Sequence, residues 1–418
     1  MERDPSRLPA PRSPRMQDRP DTASATTGSA AEVFRAFLVL GLTSFGGPIA
    51  HLGYFRTAFV ERRGWLSEAA YADLIALCQF LPGPASSQVG MGIGLKRAGY
   101  LGMAAAWTAF TLPSAIALAA FAYGLAAVGD TEGAGWIAGL KAAAVAVVAQ
   151  ALLGMARSLA PDAKRATIVG AAMIGLLLAP TAWAQVLVIL VGAAIGLVWL
   201  PKPEAGAGEG GLDVKVSRPV ALTALALFFL LLVGLPLAAS VFPDAALSIV
   251  DRFYRAGSLV FGGGHVVLPL LEQSVVGPGL VSETDFLAGY GAAQAVPGPL
   301  FTFAAFLGAV LTGPVTGVAG ALLALVAIFL PSALLVIGTL PFWAALRHRP
   351  NARRALMGVN AAVVGLLAAA LYDPVFTRGI TSHLALAIAV AAFVALSQWK
   401  APPWAVVVAS GVVGGLVL

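Results

Sequence analysis

The 418-residue chain is 59% hydrophobic and 11% charged, with a net charge of +6 and one cysteine, Cys78. Soluble domains carry about 25% charged residues, so an ordinary soluble enzyme is excluded, as are a disulfide framework and a thiolate metal cluster. At a mean hydropathy of +0.87 the positive charge bears on membrane orientation rather than on nucleic acid.

Residues 1–31 are rich in Pro, Arg, Ser, Thr and Ala and are predicted to form a disordered basic tail. They lack the basic-then-apolar layout of a cleaved signal peptide, so the first apolar run is expected to be retained. Apolar runs then follow at 34–55, 69–94, 100–125, 136–157, 166–181 and 184–200. Their lengths suit a helix crossing a bilayer. The polar, Gly/Pro-rich stretch 201–218 reads as a linker. Further runs lie at 219–240, 248–271, 285–310, 315–341, 355–372, 383–398 and 403–418. The fold class is therefore an all-α polytopic integral membrane protein with about 13 membrane segments. The pairs at 166–200 and 383–418 read equally well as hairpins that do not cross fully.

The two halves match. SFGGP at Ser44 aligns with VFGGG at Val260, the Ser-Glu at Ser67 with that at Ser282, and QFLPGP with QAVPGP. LPSA at Leu112 aligns with LPSA at Leu330, and Val147-Val148 with Val363-Val364, all at offsets of 215 to 218 residues. Five matches in order indicate duplication, with one repeat over 32–200 and the other over 241–418. Run 219–240 has no counterpart and reads as an extra connecting helix. One extra crossing turns the second repeat over, which predicts an inverted-topology pair. With the N-terminus cytoplasmic, 18 Lys and Arg fall inside and 6 outside, so the C-terminus is expected in the periplasm. Arg56, Arg62 and Arg63 oppose that rule: either their segment is re-entrant, or they face an outer vestibule.

Pro82-Gly83-Pro84 and Pro297-Gly298-Pro299 interrupt apolar runs. Pro removes a backbone donor and Gly tolerates unusual torsions, so each triplet should end one half-helix and begin another. Broken backbone survives at membrane depth only where protein or water satisfies it, and a new helix start offers unpaired N–H groups. Gln79 and Gln294, three residues before the breaks, add amide donors, and Gln88 follows the first break. Gly46-Gly47-Pro48 and Gly262-Gly263-Gly264 form a second pair of openings. Asp73, Glu272 and Asp285 lie at the edges of spans, so the donors suit an anion better than a cation. His51 and His265 follow Gly-rich breaks, where they serve structural hydrogen bonds or handle protons. Arg62 and Arg63 anchor at a boundary or meet the ion. Lys141 is expected to snorkel to the interface, and Cys78 to pack. No HExxH, GxSxG or Walker loop is present, so transport energy is expected from a gradient or a partner.

SFGGPIAHLGYFRTAFVERRGWLSE, QFLPGPASSQVGMGIG, FGGGHVVLPLL and QAVPGPLFTFAAFLG together resemble the chromate ion transporter family, over residues 34–418. The resemblance implies the long, two-domain type: a multi-pass bacterial inner-membrane protein that exports chromate and confers resistance. Sulfate, of similar shape, is the expected competitor. Carried over, the family positions are Gly46, Gly47, Pro48, His51, Arg56, Arg62, Arg63, Gln79, Pro82, Gly83, Pro84 and Gln88. In the second half they are Gly262, Gly263, Gly264, His265, Pro269, Gln294, Pro297, Gly298 and Pro299. The expected machine is a secondary transporter that binds the oxyanion between the paired breaks. Arg56, Arg62 and Arg63 would recruit the ion, and His51 or His265 would couple protons. The bilayer, the anion and a second copy in a homodimer are the expected partners. No cofactor, metal or nucleic acid is expected.

Overall fold

The structure is a computed structural model, and it describes residues 28–128, 134–179, 181–201, 212, 214, 216–242, 244–261, 264–346 and 349–418. The tail to residue 27, most of the linker, and Gly262 and Gly263 lie outside the described residues. The described residues form helices and no strand. Five helices among them are long and apolar enough to cross a membrane.

α1 (Ala30–Thr43) begins where the Ser29 hydroxyl accepts the Glu32 N–H, which satisfies one of the free donors at a helix start. It stops at SFGG, and α2 (Gly47–Phe55) continues as a widened turn to Arg62. α3 (Glu68–Phe80), capped by Ser67, stops at the first PGP. α4 (Ala85–Val128) bends at Ala98 and Gly99 into arms 85–97 and 100–128. At 1.5 Å per residue α1, α3 and the 85–97 arm each reach about 20 Å, short of a hydrocarbon core of about 30 Å.

These arms enter and come back. Arg97 pairs with Glu32 at 3.1 Å and Arg56 with Glu68 at 2.7 Å. Arg63 and Arg97 both lie over the Trp65 ring. The outer ends of all four arms therefore meet at one end of the molecule, the basic end. Segments 34–55 and 69–94, each expected as one span, are hairpins bent at SFGG and PGP. Of the two readings of Arg56, Arg62 and Arg63, the re-entrant one holds: they share the end that carries Arg97.

The 100–128 arm then runs about 43 Å to the opposite end. α5 (Gly135–Leu159) returns. α6 (Ala163–Leu178) and α7 (Ala182–Trp199) make a hairpin closed by Lys164 Nζ donating to the Trp199 carbonyl at 3.3 Å. α8 (Arg218–Val241) is the helix without a counterpart, and it packs on the second repeat.

α9 (Ala245–Leu259) and α10 (Val267–Val275) form the third hairpin, and α11 (Glu283–Ala295) with α12 (Phe303–Val310) the fourth. Arg252 donates to the Ser274 carbonyl at 2.7 Å, and Thr312 N–H to the Leu280 carbonyl at 2.9 Å, closing the open ends. Segments 248–271 and 285–310 are thus also bent rather than single spans. α13 (Gly317–Thr339), α14 (Trp343–Leu346), α15 (Pro350–Ala370) and α16 (Thr377–Gly379) follow. α17 (His383–Ser397) and α18 (Pro403–Val417) make the closing hairpin.

Lys141, near the start of α5, donates to Thr284 Oγ1 at 3.1 Å, and Arg378 pairs with Glu283 at 3.5 Å. The third and fourth hairpins therefore open at the end reached by 100–128, opposite the first two. That is the inverted arrangement expected from the odd helix α8. Lys141 does not simply snorkel: it ties the first repeat to the second.

The terminal hairpins are exchanged. α6 and α7 of the first repeat pack on α15 of the second, and α17 and α18 of the second pack on α5 of the first. Gly192 and Gly196 lie against Gly358, and Gly135 and Gly139 against Gly414 and Ser410, with no room for a Cβ. Such close backbone approach is how helices gain packing where lipid supplies no hydrophobic drive.

Candidate functional site

The four breaks meet in crossed pairs. Gly83 N–H donates to the Val260 carbonyl at 2.6 Å, and Gly298 N–H donates to the Ser44 carbonyl at 2.9 Å. Each PGP glycine thus caps the Gly-rich break of the other repeat. Gly83 and Gly298 carry φ of +117° and +97°, left-handed torsions that favour glycine. This answers how broken backbone is paid for at depth: each repeat supplies the partner that the other lacks.

The LPSA repeats complete the joint. Pro113 and Pro331 lie inside helices and each withholds an N–H, loosening the carbonyls one turn back. Gly41 packs on the carbonyls of Ala109 and Phe110, and Gly257 on that of Ile328. The next residues, Ser114 and Ser332, are fully buried. A Cβ on Gly298 would lie 2.9 Å from Ser114 Oγ, and a Cβ on Gly83 would overlap Ser332 Oγ. In the sequence these serines mark only the register of the duplication; their position after an in-helix proline is the signal of a second role.

The first break is organised by Gln88 and not by Gln79. Gln88 is buried, and its Nε2 donates to the Pro82 carbonyl at 2.6 Å and to Ser332 Oγ at 3.4 Å. Gln79, next to the last residue of α3, is exposed. Gln294 differs: its Nε2 is buried with no hydrogen-bond partner. Pro48 lies at the first turn of α2 and touches the position where Gly264 would carry a Cβ, 3.7 Å away. Gly46 and Gly47, with φ of +102° and +77°, shape that turn. Pro82, Pro84, Pro297 and Pro299 frame the two PGP turns. Pro269, in α10, is buried.

His51 is buried between its own repeat's elements. Its Nε2 lies 3.2 Å from the Ser44 carbonyl and its Nδ1 3.3 Å from Ser86 Oγ. A carbonyl can only accept, so Nε2 carries the hydrogen and Nδ1 accepts from Ser86. His265 Nδ1 pairs with Tyr290 Oη at 2.8 Å. The two histidines hold separate joints. Arg56 is committed to Glu61 and Glu68, and those two carboxylates raise its pKa further, the Glu68 hydrogen bond first.

Asp73, Glu272 and Asp285 take no part in the crossed joints, as their positions in sequence implied, and the buried Asp251 pairs with Arg255 at 2.6 Å. Asp73 accepts from Trp343 Nε1 at 2.8 Å, and Asp285 accepts from the Ser282 hydroxyl at 2.7 Å. Glu272 lines a cavity of about 310 Å³ with Glu283, Asp373 and Arg378. Among the described residues no group of three or more His, Cys, Asp or Glu is placed to hold a metal ion.

The family model described as chromate transporter matches residues 31–197 and 247–415, one match on each repeat. The probable chromate transport protein of Synechococcus elongatus is 30% identical over 359 residues, 82% of this chain and 84% of the relative. The chromate transport protein of Pseudomonas aeruginosa is 28% identical over 426 residues, covering 96% and 97%. That of Cupriavidus metallidurans is 25% identical over 368 residues, covering 84% and 86%. No solved structure matches the chain.

Proposed function

Because the chain belongs to the chromate transporter family, we propose that it exports chromate across the bacterial inner membrane as a secondary transporter and so confers resistance. The observation that carries this reading is the crossed pair of hydrogen bonds, Gly83 to Val260 and Gly298 to Ser44. It joins hairpins that open at opposite ends, so one central site can be reached from either end as the hairpins part. Helix starts, buried hydroxyls and the Gln294 amide surround that centre, whereas the buried Asp251 is paired with Arg255. An isolated dianion in a dry interior costs tens of kcal/mol, and helix starts return about 0.3–2 kcal/mol each. The ion therefore travels with many donors at once or with part of its water.

The N-terminus is cytoplasmic in this reading. Support comes from the basic end, which gathers Arg56, Arg62 and Arg63 with Arg97, and so strengthens the positive-inside bias. The arginines at that end concentrate the anion before entry. Everted vesicles with imposed pH and voltage gradients test the proposal. Uphill chromate accumulation is expected, with sulfate competing. Flux that only runs downhill would make the protein a channel. Proton coupling through His51 or His265 belongs to the same reading. Replacing both by Gln should flatten the pH dependence of uptake, and an unchanged pH profile removes the histidines from the coupling.

A further inference from the structure

The two crossed joints are related by duplication but are not chemically alike. At the joint of Gly298 with Ser44, the Ser44 hydroxyl and the Thr111 hydroxyl are buried without a hydrogen-bond partner, each residue being 1% exposed. Thr111 belongs to this joint: the Phe110 carbonyl lies 3.2 Å from a Cβ position on Gly298, and Ser114 Oγ donates to the Thr111 carbonyl at 3.1 Å. The Phe110 ring also meets His51 edge-on, 5.3 Å between centroids. Gln294, on the last turn of α11 and four residues before Gly298, adds its unpartnered Nε2.

Thr111 differs from several other helical hydroxyls of the molecule. Thr43, Thr167, Ser258, Ser274 and Thr339 donate to the carbonyl four residues back at 2.6–2.8 Å. Thr111 makes no such bond, so its proton is free for something else. Buried polar groups are almost always paired.

At the other joint the matching positions are apolar: Val260 stands where Ser44 does, and Phe329 where Thr111 does. The counterpart of Gln294 is the exposed Gln79. Gln88 there presents an unpartnered acceptor, Oε1, which an anion avoids. Ser87 Oγ is the one unpartnered hydroxyl of the segment after the first PGP.

We infer that the anion is held off the pseudo-symmetry axis, at the Ser44–Thr111–Gln294 side, with the two hydroxyls as its specific donors. The inference rests on the oxyanion-transport reading and deepens it. Hydroxyls and an amide without a fixed positive charge recognise a tetrahedral dianion by directed donors, and let it leave again.

The test is equilibrium binding of chromate to the purified full-length protein, run beside uptake in vesicles. Ser44→Ala and Thr111→Val should each weaken chromate binding about tenfold, the scale of a lost hydrogen bond to a charged group. Ser44→Thr and Thr111→Ser keep the hydroxyl and should restore most of it. Ser87→Ala should bind like wild type. Gel filtration and thermal midpoint identify any variant that fails to fold, in which case the conservative pair decides. If wild type binds chromate and the hydroxyl-free variants bind equally well, the inference is overturned while the transport reading stands. Equal loss in Ser87→Ala overturns it too, by putting the ion on the axis. If wild type binds neither chromate nor sulfate, both fall together.

Discussion

Gly83 and Gly298 show how much a single hydrogen atom can carry. Each combines a left-handed torsion with a serine of the opposite repeat where a methyl would go. An alanine there pays about 1–3 kcal/mol for the torsion and must also displace Ser332 or Ser114. Gly47 has a positive φ but nothing within 4 Å of its Cβ position, so only the torsional part applies. Gly83→Ala and Gly298→Ala should therefore abolish chromate uptake, while Gly47→Ala should lower it only severalfold, measured in vesicles at matched protein levels. The PGP and Gly-rich turns were legible in the sequence because Pro and Gly advertise backbone needs. Gln79 was not: its distance from the break was clear, but its face depends on how α3 packs. Ser44 and Thr111 were invisible as donors, since a serine or threonine in an apolar run usually bonds to its own helix.

The helical arms explain why run length misled. Residues 34–55 contain enough apolar residues to cross, yet the left-handed glycines at Gly46 and Gly47 turn the chain back after about 20 Å. A hydropathy window cannot see this, because both arms are apolar. The charge pattern could: only a fold-back puts Arg56, Arg62 and Arg63 on the side that carries Arg97. Impermeant thiol labelling of a Cys78→Ala background checks it. Ala31→Cys and Glu61→Cys should react from the same side of the membrane, and Thr312→Cys from the other. A single crossing at 34–55 would instead separate Ala31 from Glu61. The LPSA helices were placed correctly by the repeat, but the use of their prolines to admit Gly41 and Gly257 emerges only from packing.

For the whole molecule, duplication was readable because the motifs recur at nearly constant spacing, and inversion because one helix, now seen as α8, has no twin. The exchange of the terminal hairpins was not readable. Nothing local in α6 and α7 says that their glycines seat on Gly358 of the other repeat. The clasp has a practical corollary. A chain cut between residues 205 and 206 yields two pieces, each holding a long helix bare on the side its sibling should cover. Neither piece alone should persist in a cell. Made together, they should find one another, copurify through one tag and return chromate tolerance to the host, as two hands close only around each other.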